Sequence, residues 1–251
     1  MEILKYRKLK NTMYELELDN GSTLTLYDET IIKYELLLNK VIAGDKLKAL
    51  SEYNDQLGAY QGALKYLSKK MRSELEIKKY LTKKEFEAPV IEETVKLLKE
   101  KGYLDNQKFI TSYINDQVNL TSNGPEKIKY NLVKLGFSEN EININQDFSS
   151  KIKALITKKI KLNHRQNAYT LKMNITSYLI NLGYPKELFI EELDKITVND
   201  DDLIKKEYAL LRKKYGNKYQ DQQLRLFIRD KLYKKGYNIE GINEVTNETE
   251  F

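Results

Sequence analysis

Apolar positions between residues 90 and 118 recur at helical spacing on either side of one polar break. Val90, Ile91, Val95, Leu97 and Leu98 mark a face of one helix; Phe109, Ile110, Tyr113, Ile114 and Val118 mark a face of the next. Between them stands Gly102-Tyr103-Leu104-Asp105-Asn106. Gly102 is placed to end the first helix in a left-handed turn. Asp105 is placed to cap the second through its carboxylate. Tyr103 and Leu104 are expected to fill the corner.

Upstream the period changes from helical to alternating. Tyr14, Leu16 and Leu18 alternate with Glu15, Glu17 and Asp19, then Asn20-Gly21 intervenes, then Leu24 and Leu26 alternate with Thr23 and Thr25. Asn-Gly between alternating runs predicts a β-hairpin. Ile3 to Leu9 supplies a candidate third strand, and a helix over Thr30 to Leu38 is expected to cover the sheet, since two strands alone are marginal.

From about Asp45 the pattern is helical and repeats. Leu81, Leu132, Leu179 and Leu232 are each followed five residues later by an aromatic, Phe86, Phe137, Tyr184 and Tyr237, with Gly before it in three of the four. A period of about 50 residues marks a tandem array. Each block has room for three short helices, whose apolar stripes are hidden only if neighbouring blocks stack. Ser73 with Glu76 and Ser138 with Glu141 have capping-box spacing, and Pro89, Pro125 and Pro185 fall near expected helix starts. The predicted fold is mainly α: tandem three-helix repeats in an elongated curved array, with a small N-terminal antiparallel sheet. The expected divisions are 1–45 (hairpin and helix), 46–104, 105–146, 147–199 and 200–251.

Composition narrows the chemistry. Cysteine is absent, which excludes disulfides and thiol catalysis and fits a reducing cytoplasm. No apolar run approaches the ~20 residues of a membrane span, so no membrane association is expected. The one histidine, His164, lies in a polar linker and reads as a loop residue. The run Asn199-Asp200-Asp201-Asp202 reads as a helix cap, because calcium-loop spacing is missing. There is no Walker loop or dinucleotide fingerprint. The expectation is a non-enzyme without cofactor or metal.

The formal net charge of +6 is unevenly spread. Residues 47–104 carry net +3 and residues 147–199 net +4, whereas 105–146 carry −1. A solvated helix face is the plain reading of any one lysine pair. Taken as a set, the basic stretches suit a phosphate backbone or an acidic polymer. The candidate binding residues are Lys69, Lys70, Arg72, Lys79, Lys83, Lys158, Lys159 and Lys161. The 19 tyrosines sit mostly in apolar stripes, with exposed members available to stack or anchor.

Gly102-Tyr103-Leu104-Asp105-Asn106 followed by Phe109 resembles the central motif of the RecX family, regulators of the RecA recombinase. Gly124-Pro125-Glu126-Lys127-Ile128, with Leu132 and Gly136, is similar to that family's second motif, and Ala63 to Leu67 with Arg72, Ser73 and Glu76 to its first repeat. Asn106 stands where the family usually has a second Asp. The resemblance runs from about residue 3 to 245, is specific over 60–137, and suits the longer Gram-positive members. It implies a non-catalytic modulator that lodges on the RecA–single-stranded DNA filament and typically inhibits its ATPase, recombinase and coprotease activities; the chain is expected to be a cytoplasmic monomer. That places it in homologous recombination, DNA repair and the SOS response. Contacts to single-stranded DNA, and secondarily to double-stranded DNA, are also implied. The other reading is a helical-repeat protein that binds DNA directly, without RecA.

Overall fold

The structure, a computed structural model, describes residues 1–10, 12–163 and 165–247. The alternating run at the N-terminus forms a three-stranded antiparallel sheet in the order β1 (Ile3–Lys8), β2 (Met13–Leu18), β3 (Thr23–Tyr27). Leu16 faces Tyr6 on one side and Leu24 on the other. The Asn-Gly turn has three residues. Leu18 N–H donates to Ser22 O at 2.9 Å, and Gly21 takes the positive φ of 79°. Glycine meets that torsion without a Cβ penalty.

The helix expected over Thr30 to Leu38 is two short ones, α1 (Asp28–Lys33) and α2 (Leu36–Asn39). Glu35 separates them in the left-handed region at φ 51°. Tyr6 donates its hydroxyl to Leu36 O at 2.7 Å, which holds α2 over the sheet. Ile31 and Leu36 join the core with Ile3, Leu18 and Leu26; Ile32, Leu37 and Leu38 remain exposed.

All regular structure after residue 45, among the described residues, is helical. α3 (Gly44–Leu67) is 24 residues long, and α4 (Glu74–Lys83) and α5 (Ala88–Glu100) pack on it around Ala59, Ala63, Ile77, Leu81, Val95 and Leu98. Then come α6 (Asn106–Leu120) and α7 (Pro125–Lys134). The third helix expected after α7 is only a 3₁₀ turn, Glu139–Glu141. Its end is held by Asn106, whose Nδ2 donates to Glu141 Oε1 at 3.1 Å. α8 (Ser149–Lys161), α9 (Ala168–Asn181) and the five-residue α10 (Ile190–Asp194) follow; α11 (Asp201–Tyr215), α12 (Asp221–Lys234) and α13 (Ile239–Asn247) close the chain. The fold is thus mainly α, tandem three-helix repeats with a small N-terminal antiparallel sheet.

Two compact units are distinguished by packing. One holds residues 1–113 and 132–141, the other 114–131 and 142–251. Within the first, Phe137 packs on Phe109 with ring centres 5.1 Å apart. Within the second, Ile204, Leu211, Leu224, Ile228, Leu232 and Val245 enclose one core.

The motif turns follow the sequence reading, with one change. Gly102 has φ 74°, and Asp105 Oδ1 accepts the Lys108 N–H at 3.0 Å. Leu104 is buried, but Tyr103 points to solvent at 53 % exposure, so leucine alone fills the corner.

The recurrent Leu-to-aromatic spacing has a backbone cause. Phe86, Phe137, Tyr184 and Tyr237 donate their N–H groups to the carbonyls of Leu81, Leu132, Leu179 and Leu232 at 3.0–3.3 Å. This six-to-one bond is the Schellman stop, which needs a left-handed residue just before the aromatic. Gly136, Gly183 and Gly236 supply it, and Glu85 takes φ 65° in the first copy. Three of these stops also form junctions. A Cβ at Gly136 would lie 2.9 Å from Leu75 Cβ, one at Gly183 2.5 Å from the Lys127 backbone, and one at Gly236 2.4 Å from the Tyr169 ring. Leu75, Lys127 and Tyr169 each lie in the first turn of α4, α7 and α9. The end of one helix therefore docks on the beginning of an earlier one through a residue that has no side chain.

Candidate protein and nucleic-acid interface

The candidate cations of the first cluster lie on the turn before α4 and along α4. Lys69, Lys79 and Lys83 are exposed. Lys79 and Lys83, four apart on one helix, share a face. Lys70 approaches Glu76 at 3.8 Å. Arg72 is built differently: its side chain is only 14 % exposed, and Nη1 binds Glu76 Oε1 at 3.0 Å. Its guanidinium lies 3.9 Å over the Tyr66 ring, which stacks on Tyr80 at 4.3 Å. Glu76 also completes the capping box with Ser73, accepting the Ser73 N–H and donating its own N–H to Ser73 Oγ. Arg72 thus braces the start of α4; its i,i+4 spacing to Glu76 could have signalled the ion pair, whereas nothing in the spacing signalled the stack on Tyr66.

Next to this cluster Lys78 bridges Glu74 at 3.0 Å and Glu92 at 2.7 Å, and Lys99 reaches Glu74 at 2.5 Å. Hydrogen bonds that Lys78 donates to Glu92 and then to Glu74 raise it above the usual lysine range. Burial pushes Glu74 up, but Lys99 and Lys78 together outweigh it and hold its carboxyl below the ordinary value. These charges clamp α4 to α5 and are already engaged.

The second cluster, Lys158, Lys159 and Lys161, occupies the last turn of α8, where cations oppose the negative end of the helix dipole. Lys158 and Lys161 are exposed, whereas Lys159 lies 4.1 Å over the Tyr178 ring. At the other end of α8, Lys151 donates to the Val118 and Thr121 carbonyls, closing the C-terminus of α6; burial lowers its pKa. The structure therefore leaves Lys69, Lys79, Lys83, Lys158 and Lys161 most available, and ties Arg72 into the fold.

The acidic run before α11 caps it as expected through Asn199, whose Oδ1 accepts the Asp201 N–H at 2.8 Å, with Asp201 and Asp202 in the first turn, but Asp200 is turned to another helix. Asp200 accepts the Ala168 N–H through Oδ1 at 3.0 Å and Oδ2 at 2.9 Å, so it caps α9 from 32 residues away. Among the described residues no group of three or more His, Asp or Glu side chains is placed to hold a metal. No described helix is long and apolar enough to cross a membrane. His164 lies outside the described residues.

Helix stops that dock on the starts of earlier helices define a tandem helical-repeat protein with dispersed surface charge. The family model for RecX, first three-helix domain, matches residues 59–98, which span the end of α3, all of α4 and most of α5. The regulatory protein RecX of Streptococcus pyogenes serotype M1 is 28 % identical, covering 97 % of each chain. That of Streptococcus agalactiae serotype Ia is 28 % identical over 99 % of each. A crystal structure of regulatory protein RecX covers 98 % of both chains at 19 % identity, with a TM-score of 0.47. Over nearly its whole length the chain is thus similar to proteins named regulatory protein RecX.

Proposed function

We propose that this protein is a non-catalytic regulator that binds the filament formed by a RecA recombinase on single-stranded DNA and inhibits its recombinase, ATPase and coprotease activities. The observation that carries this reading is similarity over 97 % of the chain to proteins named regulatory protein RecX. The exposed cations of two separate clusters support it, because several weak charged contacts along a polymer combine into useful affinity. In this reading residues 1–45 form an N-terminal module, and 46–104, 105–146, 147–199 and 200–251 form four repeats. The protein acts as a cytoplasmic monomer.

The test is binding of the purified chain to RecA on labelled single-stranded DNA, beside free single- and double-stranded DNA, with ATP hydrolysis measured in parallel. Tight binding to the filament with slowed hydrolysis is expected. Equal binding to free DNA, with hydrolysis unchanged, would replace this reading with that of a direct DNA-binding protein.

A further inference from the structure

We propose that the outer face of α9, continued by Tyr233 of α12, docks a subunit of the recombinase protein and not its DNA. The inference deepens the functional reading above and rests on it. α9 carries one charged residue, Lys172, among its 14, in a chain that is 32 % charged. Its inner side buries Leu171, Ile175 and Leu179. Its outer side is also apolar: Tyr169, Met173 and Ile180 are 54 %, 52 % and 51 % exposed. Spacings of four and seven residues put these three on one face. A helix that is apolar all round is normally enclosed, and here half of it is not.

The stripe continues onto α12. The Tyr169 ring lies against Gly236, and Gly236 N–H donates to Tyr233 O at 2.9 Å. Tyr233, one turn before the glycine, is 62 % exposed and extends the surface from the existing junction.

The chemistry of the face selects its occupant. Thr176 and Ser177 lie between Met173 and Ile180 on the stripe, and the one cation of the helix, Lys172, borders it with its Nζ donating to Asp194 O at 3.4 Å. A nucleic-acid backbone would find only that one bordering cation on α9 to neutralise its phosphates. Four half-exposed large side chains offer on the order of 400 Å². That is about half of the roughly 800 Å² each partner contributes to a stable interface of standard size, so the patch is too small to hold two copies of this chain together unaided. It suits a protein polymer that is also held elsewhere.

The experiment compares the intact chain with M173D/I180D and with the milder M173Q/I180Q, each checked by circular dichroism and urea unfolding. Filament binding should weaken by about tenfold or more, with the same salt dependence and unchanged affinity for free DNA. Wild-type binding by a folded variant overturns the proposal. Equal loss of free-DNA binding assigns the face to nucleic acid and overturns it too, as does a wild-type dimer that the substitutions dissociate. If the intact chain does not bind the filament at all, the functional reading falls, and this inference with it.

Discussion

Asn167 donates through Nδ2 to the carbonyl oxygen of Lys235 at 2.8 Å. The same side chain accepts the Thr170 N–H at 2.9 Å and so caps α9. One buried amide therefore serves a helix start and, 68 residues away, a helix stop. Replacing Asn167 with Ala should cost about 2 kcal/mol, the loss of a cap together with a stranded buried carbonyl. Asn167→Asp keeps the acceptor and loses the donor, so urea unfolding should place it between Ala and wild type.

The junction glycines should rank by what surrounds them. Gly102 needs its positive φ but has open space around its Cβ position, so Gly102→Ala should cost about 1–2 kcal/mol. Gly183→Ala and Gly236→Ala add a clash with backbone or ring, and should cost about 3 kcal/mol or more. In the first copy Glu85 holds the left-handed position as a non-glycine residue. Glu85→Gly should therefore be neutral or stabilising, by up to about 1 kcal/mol. Denaturant midpoints of the four variants test the order.

Arg72 separates a structural cation from the binding candidates around it. Arg72→Ala should destabilise the fold by about 2 kcal/mol, through loss of the Tyr66 stack and of the short ion pair to Glu76. Arg72→Lys should recover only part, since an ammonium lacks the planar face. A binding defect from Arg72→Ala without loss of stability would reverse this assignment.

Charge reversal tests the clusters themselves. Single alanine changes at exposed lysines should be nearly silent, at about 0–1 kcal/mol. Reversing Lys69, Lys79 and Lys83 together, or Lys158, Lys159 and Lys161 together, should clearly weaken filament or DNA binding, most at low salt where screening is least. The same number of reversals in residues 105–146 should do less. Equal effects from all three sets, or no salt dependence, would remove the clusters from the interface.

Tyr184 predicts an alkaline transition. Its hydroxyl donates to Ser122 O at 3.2 Å, and burial, helped by Tyr178, pushes its pKa up to about 12 from an ordinary value of 10.0. The folded state thus holds this proton more tightly than the unfolded chain. Its contribution is fully present below pH 10 and is lost as pH rises toward about 12. Tyr184→Phe cannot ionise. The stability difference between wild type and variant should move in the variant's favour across that window, as followed by urea unfolding at each pH.

The sequence by itself determined the features whose hydrogen bonds close within a few residues. The Asn20-Gly21 turn, the Ser73–Glu76 box, the Asp105 cap and the Leu-to-aromatic stops are all of this kind, because local torsions and side-chain reach decide them. It also located the exposed lysines, whose position on α4 and α8 follows from helical periodicity. The tertiary structure alone decided what depends on distant partners. Asp200 caps α9 and not its own helix, Asn106 holds Glu141, and Arg72 is drawn into an aromatic stack. It broke the expected 30–38 helix at Glu35, where the strand β1 side chain Tyr6 fixes α2 over the sheet. It also showed that the junction glycines are chosen for closeness as well as torsion, and that α9 keeps an apolar face in solvent. Periodicity reports how many faces of a helix are apolar; only packing reports which of them the rest of the chain covers.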